Sequence, residues 1–226
     1  NDDGEREVDF LLDLMAIESK EGIRFASLID HRIRYWNVKS VDGITYRYID
    51  EVNEERAQIF GEKHRTIATK LGVEPEPLTV IMCDNYKEVI ELMGYRYDRE
   101  SIGKYKNGYG VDEGLIFSIM GNEDFSHDVL HYYVAKKVER KDRNWVTEEG
   151  LAYLWGNAYW VDAAGEMIEL DPLLDELRTY LKENPEASLL TLFDEDKKPF
   201  GHISEDISVR STVSGLILRE IERNHG

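Results

Sequence analysis

His127 and His131 stand four residues apart, and seventeen residues separate His131 from Glu149. Residues four apart lie on one face of a helix. The pair can therefore aim both imidazoles at a single ion. Zinc takes nitrogen and oxygen ligands in a tetrahedron, and a catalytic zinc keeps its fourth position open. A third ligand must come from another element, and a glutamate on the next helix can supply it. The same residues also have plainer roles. Two histidines on an amphipathic helix are often half-buried and hydrogen-bonded with no metal between them. Thr147 is a good N-cap, and Glu148 and Glu149 behind it complement the positive end of a helix dipole. Asp128, next to the first histidine, can cap a helix or face water.

These side chains need elements to hold them. Residues 124–139 and 147–156 are predicted helices, and they would carry the histidines and the glutamates. Upstream, apolar positions at helical spacing predict a short helix over 7–18. Residues 31–37 and 43–49 alternate apolar with polar, and Asp42-Gly43 between them predicts a β-hairpin. Residues 52–71 carry Ala57, Phe60, Ile67, Ala68 and Leu71 among charges, which predicts an amphipathic helix stopped by Gly72. The apolar run 78–83 predicts a buried strand, 85–93 a helix, and 114–120 a second strand. The Gly- and Tyr-rich stretch 101–114 predicts a loop or hairpin. The tail predicts helices near 171–183 and 206–223. Strands first and helices later is the α+β pattern.

His127-Asp128-x-x-His131, a connection, then Trp145-Val-Thr-Glu148-Glu149-Gly150-Leu151-Ala152 resembles the gluzincin branch of zinc peptidases. That group carries His-Glu-x-x-His on one helix and a ligand glutamate, often followed by Gly and a small residue, on the next. Glu149 matches better than Glu148 because it directly precedes Gly150. LGVEPEPLTVIMCDNYKEVIELMG (71–94) is similar to the upstream half of such chains, and SGLILREIERNHG (214–226) to their closing helix. The resemblance implies a zincin-like α+β fold over 41–226, with residues 1–40 as an N-terminal extension. It implies a small mixed β-sheet whose edge strand, at 114–120, lies over the metal-site helix, followed by a helical C-terminal part. It implies zinc held by His127, His131 and Glu149, and hydrolysis of a peptide or protein substrate.

The same resemblance gives Asp128 the general-base role, where the family has Glu. Aspartate is one methylene shorter, and a misplacement of about 1 Å can cost on the order of 100-fold in rate. The alternative implied is an impaired member of the fold that binds peptide or protein. Tyr153, Tyr159 and His202 are candidates for stabilising an oxyanion, and no motif selects among them. The His127-Asp128 doublet is also similar to that of HD-domain phosphohydrolases. Those are all-helical and use a further upstream histidine, and the nearest one here is His64.

Composition limits the rest. The net charge is −18, which repels phosphate backbones and argues against a nucleic-acid partner. No apolar run reaches the length of a membrane span. A single cysteine, Cys83, excludes a disulfide within the chain and sits in an apolar run as a small buried hydrophobe. The polar NDDGERE opening, which does not start with Met, suggests an extracytoplasmic location behind a removed signal or anchor.

Overall fold

The computed structural model describes residues 8–98, 108–112, 114–119, 121–194 and 199–225. The elements run in this order. Three short strands come first, β1 (Phe10–Leu12), β2 (Met15–Ser19) and β3 (Gly22–Ala26), then the one-turn helix α1 (Ile29–Arg32). The hairpin β4 (Asn37–Val41) and β5 (Ile44–Tyr48) leads into the long helix α2 (Glu54–Leu71). Next come β6 (Leu78–Met82), α3 (Tyr86–Leu92), β7 (Tyr95–Asp98), β8 (Gly108–Asp112) and β9 (Leu115–Ser118). The rest is helical: α4 (Ser126–Lys137), α5 (Trp145–Trp155), α6 (Leu170–Glu183), α7 (Leu189–Asp194) and α8 (Val209–His225). The chain is α+β, as its element order predicts.

A five-stranded mixed sheet, ordered β4-β5-β6-β9-β8, forms the frame. β5, β6 and β9 are mutually parallel, and the outer strands β4 and β8 are antiparallel to their neighbours. Period-2 alternation sends side chains to two separate layers. Ile44, Tyr46, Leu78, Val80 and Ile116 face α2 and α4, where they pack with Phe60, Ile67, Val129, Leu130 and Tyr133. Ile81, Cys83 and Phe117 face the other way, onto Ile33, Val89 and Leu92. Burial pushes the Cys83 thiol up to about 12, so it behaves as the small hydrophobe expected. Ile33, from the predicted extension, is part of that second layer, with Ile29 and Trp36 beside it. A third cluster, including Tyr153, Leu173, Leu177, Phe200 and Val213, binds the C-terminal helices together.

α2 follows its sequence signals closely. Asn53 caps it, accepting from the Arg56 amide, and Gly72 ends it in the left-handed conformation at φ 64°. The hairpin turns at Asp42-Gly43 as expected, both with positive φ. Its first strand starts only at Asn37, because residues 29–32 form α1.

Two further expectations are corrected. Residues 7–18 are not a helix: the described part forms β1, paired antiparallel with β7, and β2, paired with β3. A short apolar run fits either periodicity, and here the available partner strands decide. The run 114–120 is not an edge strand either. Its strand β9 lies between β6 and β8, and β8 is the edge, alongside α4. The first part of the Tyr-rich 105–109 loop lies outside the described residues, while Gly108 and Tyr109 belong to β8. No described helix is long and apolar enough to cross a membrane.

Candidate metal centre

The approach to α4 is a run of buried polar residues, Asn122, Glu123, Asp124 and Ser126. Three of them are linked locally, while Glu123 accepts the Asn53 amide at 2.8 Å. The Asn122 side chain accepts the Asp124 amide at 2.9 Å, and the Asp124 side chain accepts the Ser126 amide at 2.9 Å. Lys63 on α2 bonds the other Asp124 oxygen at 2.8 Å, which ties the helix start to the frame. A buried carboxylate is tolerated when it is paired and hydrogen-bonded in this way.

From this fixed start, α4 carries His127 and His131 on one face, with Nε2 atoms 3.2 Å apart. α5 brings Glu149 to the same point. Its Oε1 lies 3.1 Å from His131 Nε2, and its Oε2 lies 3.7 Å from His127 Nε2. Three donors around a tetrahedral zinc at its usual bond lengths stand roughly 3.4 Å apart. The His127, His131 and Glu149 donors, all within 4.8 Å of one another, therefore fit a single ion.

The far sides of both rings are also engaged. His127 Nδ1 donates to the Asn157 carbonyl at 2.9 Å. His131 Nδ1 lies 2.6 Å from Glu148 Oε1. Acceptors on both Nδ1 atoms leave both Nε2 lone pairs aimed at the common point, as metal-ligating imidazoles require. Trp145 stacks on the His131 ring at 5.1 Å between centroids, with 12° between planes, and is itself 62% exposed.

The electrostatics divide the two histidines. Burial holds His127 below the ordinary imidazole range, with Glu149 opposing. Burial also disfavours the charged form of His131, but the Glu149 and Glu148 carboxylates, which accept from the ring, outweigh it and raise this ring. Burial pushes Glu148 up, and Arg143 and His131 more than reverse that, so it stays low.

Asp128 is half-buried, and its Oδ2 is sealed from solvent with no hydrogen-bond partner. Burial pushes the carboxyl up to about 7, with Glu149 adding to the rise and His131 opposing it. It does not face open water, and α4 has no side-chain cap.

The helix α5 begins earlier than the sequence suggests. Its cap is Asn144, whose side chain accepts the Thr147 amide at 3.0 Å; Thr147 lies inside the first turn. Asn is as strong a cap type as Thr, and that signal was present in the sequence. Glu148, read from sequence as a first-turn acid, is buried and has both oxygens bonded, with Arg143 bridging them. Asn157 had no sequence signal at all. It is fully buried and its side chain bonds Ser126 Oγ at 3.0 Å and the Tyr159 amide at 2.8 Å.

Of the three oxyanion candidates, Tyr159 is best placed. Its ring lies 5.4 Å from that of His127, close enough to Asp128 to feel its charge. It also adopts φ 71°, an uncommon conformation for a bulky residue. Tyr153 is 5.9 Å from His127, but its hydroxyl is taken by the Ser208 amide. His202 is exposed beside Glu176 and joins no such cluster. His64 is also elsewhere, 2.6 Å from the Tyr133 hydroxyl. With a five-stranded sheet in the frame, the all-helical phosphohydrolase likeness falls away.

No protein-family model matches the chain, and no curated protein and no solved structure matches it.

Proposed function

We propose that this protein is a zinc-dependent peptidase, with His127, His131 and Glu149 holding the metal and Asp128 handling the proton. The observation that carries this reading is the convergence of three donors at zinc-like spacing, each imidazole with its Nδ1 anchored. A bound zinc supplies a Lewis acid and lowers the pKa of a water toward ~7.

The chain's own residues account for the rest. Asp128 is half-buried beside the ligands, with its Oδ2 sealed and uncommitted. A carboxylate beside the ion can take a proton from a nucleophilic water and pass it to the leaving amine. The water oxygen joins the carbonyl carbon, the C–N bond breaks, and the amine leaves with that proton. The Tyr159 ring lies 5.4 Å from that of His127, and a hydroxyl donor there would stabilise the developing oxyanion. The edge strand β8, next to α4, supports a peptide substrate, because an open strand edge pairs with an extended main chain.

The test is cleavage of a mixed peptide library by the zinc-loaded protein, with Asp128→Asn and Asp128→Glu alongside. We expect cleavage by the wild type and its loss in Asp128→Asn. Absence of cleavage in the wild type, with gain in Asp128→Glu, favours instead a peptide-binding protein whose base is one methylene too short. No cleavage in any variant, despite one zinc per chain, rejects the peptidase reading.

A further inference from the structure

The adjacent glutamates of α5 have different surroundings. Glu149 points to the shared donor point. Glu148 turns to the back of the His131 ring, where its Oε1 meets Nδ1 at 2.6 Å. Arg143, in the connection before α5, grips the same carboxylate with two nitrogens: Nε reaches Oε2 at 2.9 Å, and Nη2 reaches Oε1.

A glutamate that served only the helix dipole would do so while exposed to water. Glu148 is 3% exposed. Burying a carboxylate is costly unless its oxygens are paired, so its position calls for specific partners. Those partners are a bidentate guanidinium on one side and an imidazole N–H on the other. The guanidinium fork fixes the carboxylate plane, and the carboxylate in turn fixes the ring. His127 has no such device, since its Nδ1 meets a neutral backbone carbonyl.

We infer that Glu148, clamped by Arg143, is the positioning residue of this metal centre. It holds His131 in the Nδ1–H tautomer with Nε2 presented to the ion, and so makes metal affinity depend on the α4–α5 connection. The inference rests on the proposed metal site and extends it to two residues that touch neither metal nor substrate. Arg143 reaches the metal only through Glu148 and His131. Its effect therefore disappears when Glu148 no longer carries the charge that the fork grips.

The experiment measures zinc affinity by competition with a chromophoric chelator for wild type, Glu148→Gln, Glu148→Asp, Arg143→Ala and the Glu148→Gln/Arg143→Ala pair. Nitrogen-15 histidine spectra of the metal-free proteins, recorded over a pH series that reaches the neutral form of the His131 ring, report the tautomer. We expect Glu148→Gln to bind zinc about 10–100-fold more weakly, with thermal unfolding still cooperative. Arg143→Ala should weaken binding by less and add little in the Glu148→Gln background. The His131 Nδ1–H signal of the wild type should give way to a tautomer mixture in Glu148→Gln. Equal zinc affinity in wild type and Glu148→Gln, with an unchanged tautomer, overturns the assignment alone. A wild type that takes up no zinc overturns the metal reading itself, and the assignment with it.

Discussion

Gly150 on α5 faces Ser214 on α8 so closely that a Cβ added to it would lie 2.3 Å from Ser214 Oγ and 2.7 Å from Ser214 Cβ. The glycine after Glu149 is therefore a packing requirement. It lets α8 lie against α5 directly behind Glu149, and Ser214 Oγ bonds the Val146 carbonyl at 3.0 Å across the same seam. Gly215 continues the close approach, with its Cβ position 3.2 Å from the Gly150 carbonyl.

Two effects of Gly150→Ala compete. Helix propensity favours alanine by about 1 kcal/mol. Overpacking against a helix that cannot retreat costs about 1–3 kcal/mol, and the clash with Ser214 Cβ cannot be relieved by a rotamer change. We expect net destabilisation, seen as a lower urea midpoint, and partial recovery when Ser214→Gly is added. A stabilised Gly150→Ala would contradict the seam.

Metal analysis of the purified protein should give about one zinc per chain, falling to a trace in His131→Ala and in Glu149→Ala. Chelation should lower the melting temperature of the wild type and leave His131→Ala unmoved, because only the form that binds the ion gains stability from it.

Asn157 joins three parts of the site, through Ser126 at the start of α4, His127, and Tyr159. Asn157→Ala removes two buried side-chain bonds and leaves their partners unpaired, at a cost of about 1–3 kcal/mol. Zinc affinity should fall with stability, since the backbone carbonyl that anchors His127 is released from its loop. Denaturation and chelator competition on the same sample check both.

Tyr159→Phe removes only the hydroxyl. We expect zinc content and melting temperature to stay near wild type, while kcat falls on the order of 100-fold if the hydroxyl stabilises an oxyanion. A variant with unchanged turnover would return Tyr159 to a packing role.

His64 supplies a pH dependence away from the metal. Burial pulls it down to about 4, with Arg65 adding to the fall. Its Nε2 accepts from the Tyr133 hydroxyl, which itself accepts the Glu76 amide. An unfolded histidine titrates near ~6.5. Between about pH 6.5 and 4 the unfolded chain binds a proton that the native state refuses, so stability falls as pH drops through that window. The limit is about 3 kcal/mol. Urea midpoints at neutral and mildly acidic pH should differ more in wild type than in His64→Gln.

The candidate metal site was legible because the residues that could hold an ion are placed by local geometry. Four-residue spacing places His127 and His131 on one helix face whatever surrounds them, and the next helix needs only to lie close by. The α+β class, α2 with its Gly72 stop, and the existence of strands at 78 and 115 follow from periodicity and turn residues in the same way. What stayed hidden depends on partners distant in sequence. Residues 10–19 carry apolar spacing that suits a helix, and pairing with Tyr95–Asp98 and Gly22–Ala26 makes them strands. The edge of the sheet passes to Gly108–Asp112 because strand order is a property of the assembled sheet. Glu148 and Asn157 gain their roles from burial against Arg143, His131, His127 and Ser126. Side-chain type and spacing determine what chemistry this chain can hold. Which groups lose water, and which carbonyl or carboxylate meets the back of each imidazole, is decided only when the helices pack.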